Sequence, residues 1–345
     1  MSVYLDYAAT TPVDPLFVKD VSEYMLNKWY NPSAAYNEAG AVKRDMEEAR
    51  DIIAKSINAE PSEIIFTSGA TEANNMVLEG RDYNLYLSPY EHPSVKNKEG
   101  VHKHFIDIDN FNPEYGFYSV MLANNETGTI FPIKELCSKV IKAGGAFHTD
   151  ATQAYGHIPI DVKDLGVDFL TISLHKCGCA KGIGFLYKSH DIELDPLMHG
   201  GGQERGLRPG TENTAFIYAA GQHVRRMGTV IPDYTLRDYL KSKIKLLPYC
   251  HINETDNQLP NILLITIDGV RSDVLISLLN ERGICVSAGS ACHAGDPRPS
   301  KTLLAFGLSE NEALRTIRVS WGKETTKDDL DYFVTNLKQI IEMIE

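Results

Sequence analysis

A chain of 345 residues, 43% hydrophobic and 23% charged, is long enough for a large domain plus a small one and is neither fibrous nor disordered in composition. Its formal net charge of −12 argues against direct nucleic-acid binding, which needs a basic surface, and no apolar run approaches the roughly 20 residues that span a bilayer. Met1-Ser2-Val3-Tyr4-Leu5-Asp6 lacks the basic and apolar regions of a secretory signal, so a cytoplasmic location with no membrane partner is expected, and the six cysteines read as free thiols.

In chain order, Ala39–Ile57 reads as a charged amphipathic helix and Glu63–Thr67 as a short buried strand. Helix Ala70–Leu78, strand Asn84–Ser88, strand Tyr118–Ala123, helix Pro132–Ala143 and strand Ala146–Thr149 follow, then strands Asp168–Ser173 and Gly182–Tyr187. Short apolar strands separated by helices predict an α/β fold with a mainly parallel sheet covered on both faces. From about Pro260 the pattern becomes strand Asn261–Ile267, helix Ser272–Arg282, strand Gly283–Ala288 and strand Thr316–Trp321. In the last helix Leu330, Phe333, Val334, Leu337, Ile340 and Ile341 recur at helical spacing behind a Thr326/Asp329 capping box. The expected division is a large domain over residues 14–250 and a small α+β domain made by 1–13 with 251–345.

Two residues at strand ends carry the chemistry. Lys176 closes the run Ser173-Leu174-His175-Lys176, and Asp150 ends Ala146-Phe147-His148-Thr149-Asp150. An amine for an aldehyde and a carboxylate for a ring nitrogen are what pyridoxal 5'-phosphate (PLP) needs from a protein. Thr67-Ser68-Gly69-Ala70-Thr71-Glu72 joins a strand to a helix and offers small residues and free N–H groups to a phosphate; an ordinary helix cap reads the same way. Ser173 with His175, and Arg208-Pro209-Gly210-Thr211 after the glycine-dense Gly200–Gly206 loop, are further phosphate-binding candidates.

His92 can stack on a pyridine and exchange protons, Asn125 can reach a cofactor hydroxyl, and Arg318 within a strand calls for a buried anion. The plain alternatives are a structural histidine, a turn asparagine and a structural ion pair. Cys292 lies in the small-residue stretch Ser287–Pro297, an exposed setting that suits a nucleophilic thiolate.

With Tyr4–Pro12, Glu91-His92, Asn124-Asn125-Glu126 and Asp150-Ala151-Thr152-Gln153, these segments resemble the cysteine desulfurases of the class V aminotransferase family. The resemblance runs from Tyr4 almost to the C-terminus. It implies PLP fold type I, with a mainly parallel seven-stranded sheet in the large domain, and a homodimer. Lys176 would hold PLP through a Schiff base and move the substrate α-proton, Asp150 would pair with the ring nitrogen, Gln153 would contact the ring hydroxyl and His92 would stack on the ring. Ala70, Thr71, Ser173 and His175 would bind the phosphate, with Thr211 supplied from the other subunit. Asn125 and Arg318 would hold the carboxylate of L-cysteine. Cys292 would attack the substrate sulfur, release alanine and pass the persulfide to a protein acceptor, in iron–sulfur cluster assembly or another sulfur pathway.

A selenocysteine lyase or other class V activity is the alternative on the same scaffold, and a persulfide or partner-binding platform the alternative outside enzymology. Three departures from the family pattern stand out. Lys176-Cys177-Gly178-Cys179 replaces the usual glycine–proline pair after the lysine, and packing, a redox or relay role, and metal ligation are its three readings, with no metal site expected. The segments between His92 and Asn125 and before Pro260 are short. The chain also ends with its last helix, lacking the tail that often docks a scaffold partner.

Overall fold

Seven strands pair side by side in the main sheet. Across the sheet the strands are Ile64–Thr67, Gly184–Lys188, Phe169–Ser173, Ala146–Asp150, Phe117–Ser119, Leu85–Leu87 and Lys103–Phe105. All neighbours are parallel except those of Gly184–Lys188, which runs antiparallel to both of its own. The computed structural model describes residues 2–79, 84–97, 102–288 and 298–344. It divides into one unit of Pro12–Leu122 with Phe131–Val230, which contains this sheet, and another of Met1–Thr11, Ala123–Ile130 and Ile231–Glu345.

In the sheet unit, strands Ile64–Thr67 and Phe169–Ser173 are buried along their whole length, as strands covered on both faces must be. Helix Ile133–Lys142 buries Ile133, Leu136, Cys137 and Val140 along one stripe. Helix Thr214–Met227 packs on helices Pro15–Asn27 and Asn37–Ser56; Phe216 meets Phe17 edge-on with centroids 5.9 Å apart, and Tyr218 stacks on Tyr24 at 4.7 Å.

The second unit holds an antiparallel sheet in the order Thr316–Ser320, Ile262–Ile267, Cys250–Asn253. Helices Thr235–Ile244, Ser272–Glu281 and Lys327–Ile344 give Leu240, Leu275, Leu279, Phe333 and Leu337 to its core. The expected capping box is present: the Thr326 amide donates to Asp329 Oδ2 at 2.8 Å, and the Asp329 amide donates to Thr326 Oγ1 at 3.2 Å. Val3–Tyr4 pairs in parallel with Ile284–Cys285. The run predicted as strand Gly283–Ala288 is a strand only over Ile284–Cys285. Ser287 turns instead to exchange backbone hydrogen bonds with Arg318, at 3.2 and 2.6 Å.

The glycine-rich loop is held to the sheet edge by a buried ion pair. Arg50 meets Glu204 through two hydrogen bonds of 2.8 and 2.7 Å, and Glu204 Oε2 also accepts the Phe66 amide at 2.9 Å. Glu204 and Arg205 have φ of 46° and 59°, a conformation that costs a non-glycine residue about 1–2 kcal/mol. Arg205 secures its own end by donating to the Ile64 carbonyl at 2.6 Å.

Removing one partner of such a pair leaves an uncompensated buried charge. Arg50→Ala is therefore expected to cost about 3–5 kcal/mol in urea unfolding, and Lys19→Ala, which removes an exposed ion pair, less than about 1 kcal/mol. Equal losses in the two variants would refute the anchoring role of Arg50.

Candidate active site

Chain geometry brings the candidate phosphate-turn residues to the carboxyl end of the sheet, where open α/β sheets place their ligands. Gly69 precedes helix Ala70–Leu78 with φ of 150°, and a Cβ there would sit 3.2 Å from Ser173 Oγ. Gly184 allows the same close approach from the other side, since its Cβ would lie 2.8 Å from Gly69 Cα and 2.5 Å from the Ile172 carbonyl. Thr71 is exposed and Ala70 partly so, in the first turn of that helix, whose amides lack intrahelical acceptors. Glu72 ties this turn to the loop carrying Thr211: it accepts the Ser68 amide at 2.8 Å and Arg208 Nε at 2.7 Å. Thr211 itself is exposed.

Asp150 is the last residue of its strand, with 5% of its surface exposed. The Thr152 amide donates to Oδ1 at 3.0 Å and Asn74 Nδ2 to Oδ2 at 2.9 Å. Gln153 is buried in the turn that follows. Lys176 closes the one-turn helix Leu174–Lys176, directly after the neighbouring strand. His92 feels both charges: burial lowers its pKa, Asp150 partly offsets this, and Lys176 and Lys96 push further down. Burial, with Lys176 and Lys181 beside it, takes His175 down to about 4. Both rings are neutral at neutral pH.

Sequence reasoning missed the groups that support these side chains. Asn74 is fully buried; the only outward sign was a pair of asparagines, poor helix formers, inside a short helix. Ser94 follows His92 and accepts from Asn74 Nδ2 at 2.9 Å. Glu91 is buried, and its Oε1 accepts Ser88 Oγ and the Met121 amide, each at 2.6 Å. Burial pushes its pKa to about 8 despite those bonds, and Asp150 adds to the rise.

Beneath Lys176 the backbone is braced throughout. His157 hydrogen-bonds the Lys176 backbone. His223 spans the Cys177 carbonyl at 2.7 Å and Asp14 Oδ2 at 3.1 Å, and the Asp14 amide donates to the Gly178 carbonyl at 2.8 Å. Cys177 is partly exposed and donates its thiol to the Leu174 carbonyl at 3.3 Å. Cys179 is wholly buried, and burial together with the Cys177 thiol raises its pKa well above the usual thiol value, the environment of an unreactive packing cysteine.

Asn125 and Arg318 belong to the other unit. Arg318 is 1% exposed; its Nη2 donates to Asp6 Oδ1 and its Nη1 to the Asn125 carbonyl, both at 2.6 Å, while Nε is buried with no partner among the described residues. The structural ion pair is thus present, and the guanidinium keeps unused donors. Cys292 lies outside the described residues. Its described flanks are tethered, on one side by the Ser287–Arg318 pairing and on the other by Ser300 Oγ donating to Glu126 Oε2 at 2.6 Å.

The sheet-unit residues fit a phosphorylated pyridine aldehyde on their own chemistry. A close-packed turn and helix start meet Ser173, neutral His175 stands beside it, and a buried carboxylate and an amine occupy neighbouring strand ends. A separate cavity of about 310 Å³, lined by Glu79, Asp168, Asp191, Glu193 and Asp195 among others, contains none of these residues.

The profile of the class-V aminotransferase family matches residues 3–100 and 93–333 of this chain. The chain is 35% identical over 378 aligned residues to the cysteine desulfurase IscS of Clostridium botulinum strain Hall, covering 99% of this chain and 94% of that protein. The solved NifS-like protein from Rickettsia africae superposes with a TM-score of 0.89 at 31% identity, covering 99% and 100% of the two chains. A structure described as SspA in complex with cysteine superposes with a TM-score of 0.82 at 34% identity, covering 92% and 98%. The chain belongs to the class-V aminotransferases and, within them, to the cysteine desulfurases.

Glu91 yields a pH prediction. Its folded value of about 8 lies above the ordinary 4.5, so between those values the folded protein holds a proton that the unfolded chain releases. The stability Glu91 contributes is complete below pH 4.5 and is lost as pH rises through about 8. Glu91→Gln should therefore gain stability relative to wild type between these limits, as read by urea melts across the range. Parallel profiles for the two proteins would show that Glu91 is not held neutral.

Proposed function

We propose that this chain is a PLP-dependent desulfurase that converts L-cysteine to L-alanine and leaves the sulfur as a persulfide on Cys292. The observation that carries this reading is the grouping of Asp150, Lys176 and neutral His92 at the strand ends, beside the Gly69–Ser173 turn. PLP, when bound, supplies an acceptor for the electrons released as the Cα–H bond breaks.

The protein's own groups do the rest. Asp150 holds the ring nitrogen by charge, Gln153 contacts the ring hydroxyl, and His92 covers the ring. Ala70, Thr71, Ser173 and His175 take the phosphate, with Thr211 contributed to the partner subunit of a homodimer. Lys176 anchors the cofactor through its amine and accepts the α-proton. Asn125 and the unused donors of Arg318 hold the substrate carboxylate. The Cys292 thiolate attacks the substrate sulfur, the Cβ–S bond breaks, and the products balance as alanine and a Cys292 persulfide. A protein thiol acceptor then takes the outer sulfur.

The test measures alanine from L-cysteine with a thiol reductant present. Wild type is expected to turn over. Cys292→Ala is expected to retain the cofactor absorbance while losing alanine release, and Lys176→Ala to fall by at least about 100-fold, the lower end for losing a general base. Normal turnover by Cys292→Ala would refute the role given to that thiol.

A further inference from the structure

We propose that Asn74 and Ser94 are positioning residues that link the fixed charge of Asp150 to His92 and hold the imidazole as its Nε2–H tautomer. Asn74 Nδ2 has two hydrogens; one goes to Asp150 Oδ2 and the other to Ser94 Oγ, both at 2.9 Å. Ser94 Oγ has a single hydrogen, and its contact with His92 Nδ1 is 2.8 Å. The Ser94 amide donates to the same nitrogen at 3.1 Å. A ring nitrogen that receives a backbone N–H presents a lone pair, so Nδ1 carries no proton and the neutral ring carries it on Nε2.

The chain has only one self-consistent direction. Asp150 is acceptor-only as a carboxylate, which fixes the amide face of Asn74; reversing it would set Asn74 Oδ1 against the carboxylate. The observed face leaves Oδ1 buried with no partner among the described residues, at a cost of about 1–3 kcal/mol, and the contact with the Asp150 charge offsets it. With the Asn74 hydrogen arriving at Ser94 Oγ, the hydroxyl hydrogen is directed to His92. Burial lowers the pKa of His92, and among the described residues the charged groups that act on it are Asp150, Lys176 and Lys96.

The consequence concerns the division of labour in the reading above, on which its functional weight rests. With Nε2 already protonated, His92 enters the reaction as a donor at that atom, and the proton-accepting step falls to Lys176. Asn74 and Ser94 touch neither substrate nor cofactor and act through His92.

The test is long-range proton–nitrogen NMR on protein labelled with ¹⁵N-histidine, with and without PLP, and with His92 assigned by its loss in His92→Gln. In wild type, His92 Nδ1 should show the shift of an unprotonated ring nitrogen and Nε2 that of a protonated one. Ser94→Ala should raise the Nδ1–H population about five- to tenfold, the factor carried by one hydrogen bond. Asn74→Ala should raise it too, the double variant should rise no further than Ser94→Ala alone, and Ser94→Thr should restore the wild-type value. A protonated Nδ1 in wild type, or an unchanged His92 in folded Asn74→Ala and Ser94→Ala, would overturn the proposal. The outcome is separable from turnover: Nε2–H without alanine release refutes the function and leaves the positioning intact, whereas turnover with Nδ1–H refutes the positioning alone.

Discussion

The constraint on which the sheet unit depends is the burial of the Asp150 carboxylate at the end of a strand. A buried charge without partners is among the most expensive features a fold can carry, and this one is met from two directions. The Thr152 amide fixes the turn after the strand. Asn74 fixes helix Ala70–Leu78, and that helix in turn fixes the position of its own first turn beside Ser173. One charge thereby sets the distance between the ring-nitrogen end and the phosphate end of the proposed cofactor site.

The neighbours of that charge are kept neutral. Burial lowers His92 and raises Glu91, so neither competes with Asp150 by carrying a full charge of its own. In a low-dielectric setting an uncompeted carboxylate acts strongly on whatever cation faces it, and a protonated ring nitrogen is such a cation. The polar groups are already aligned by Thr152, Asn74 and Ser94, and under the proposed function they need not reorient when a cofactor ring binds.

Much of the fold was legible because its strands are short apolar runs with β-branched and aromatic residues, and its helices carry clear apolar stripes. Helix Ala70–Leu78 has the predicted limits, and Phe169–Ser173 and Thr316–Ser320 differ from expectation by one residue at an end. Edge elements escaped notice. Lys103–Phe105 is exposed along its length, and Cys250–Asn253 carries only partial burial, so neither shows the alternation that marks a half-buried strand. For the site, residues whose chemistry is unusual for their place, such as a lysine or aspartate at a buried strand end, stood out. Asn74, Ser94 and Glu204 did not, because their roles depend on partners 76, 20 and 154 positions away, and no local pattern encodes such pairings.

Beneath Lys176 the same logic runs in the opposite direction. In the proposed reaction Lys176 holds the cofactor and then accepts a proton, which calls for a mobile side chain on a backbone that does not move, because a displacement of about 1 Å at a reacting group is enough to lose much of the advantage of proximity. Ordinary loops leave their carbonyls to water. Here the carbonyls of Leu174, Cys177 and Gly178 are all bonded within the protein, and His157 bonds the backbone of Lys176 itself. Cys179 fills the interior side, where its thiol is too buried to ionise readily. Small, soft side chains suit that position because they pack closely without introducing a charge that would compete for the lysine. The Cys177-Gly178-Cys179 sequence is therefore accounted for by its place in the braced backbone that follows Lys176, with Cys177 the only one of its two thiols that solvent can reach.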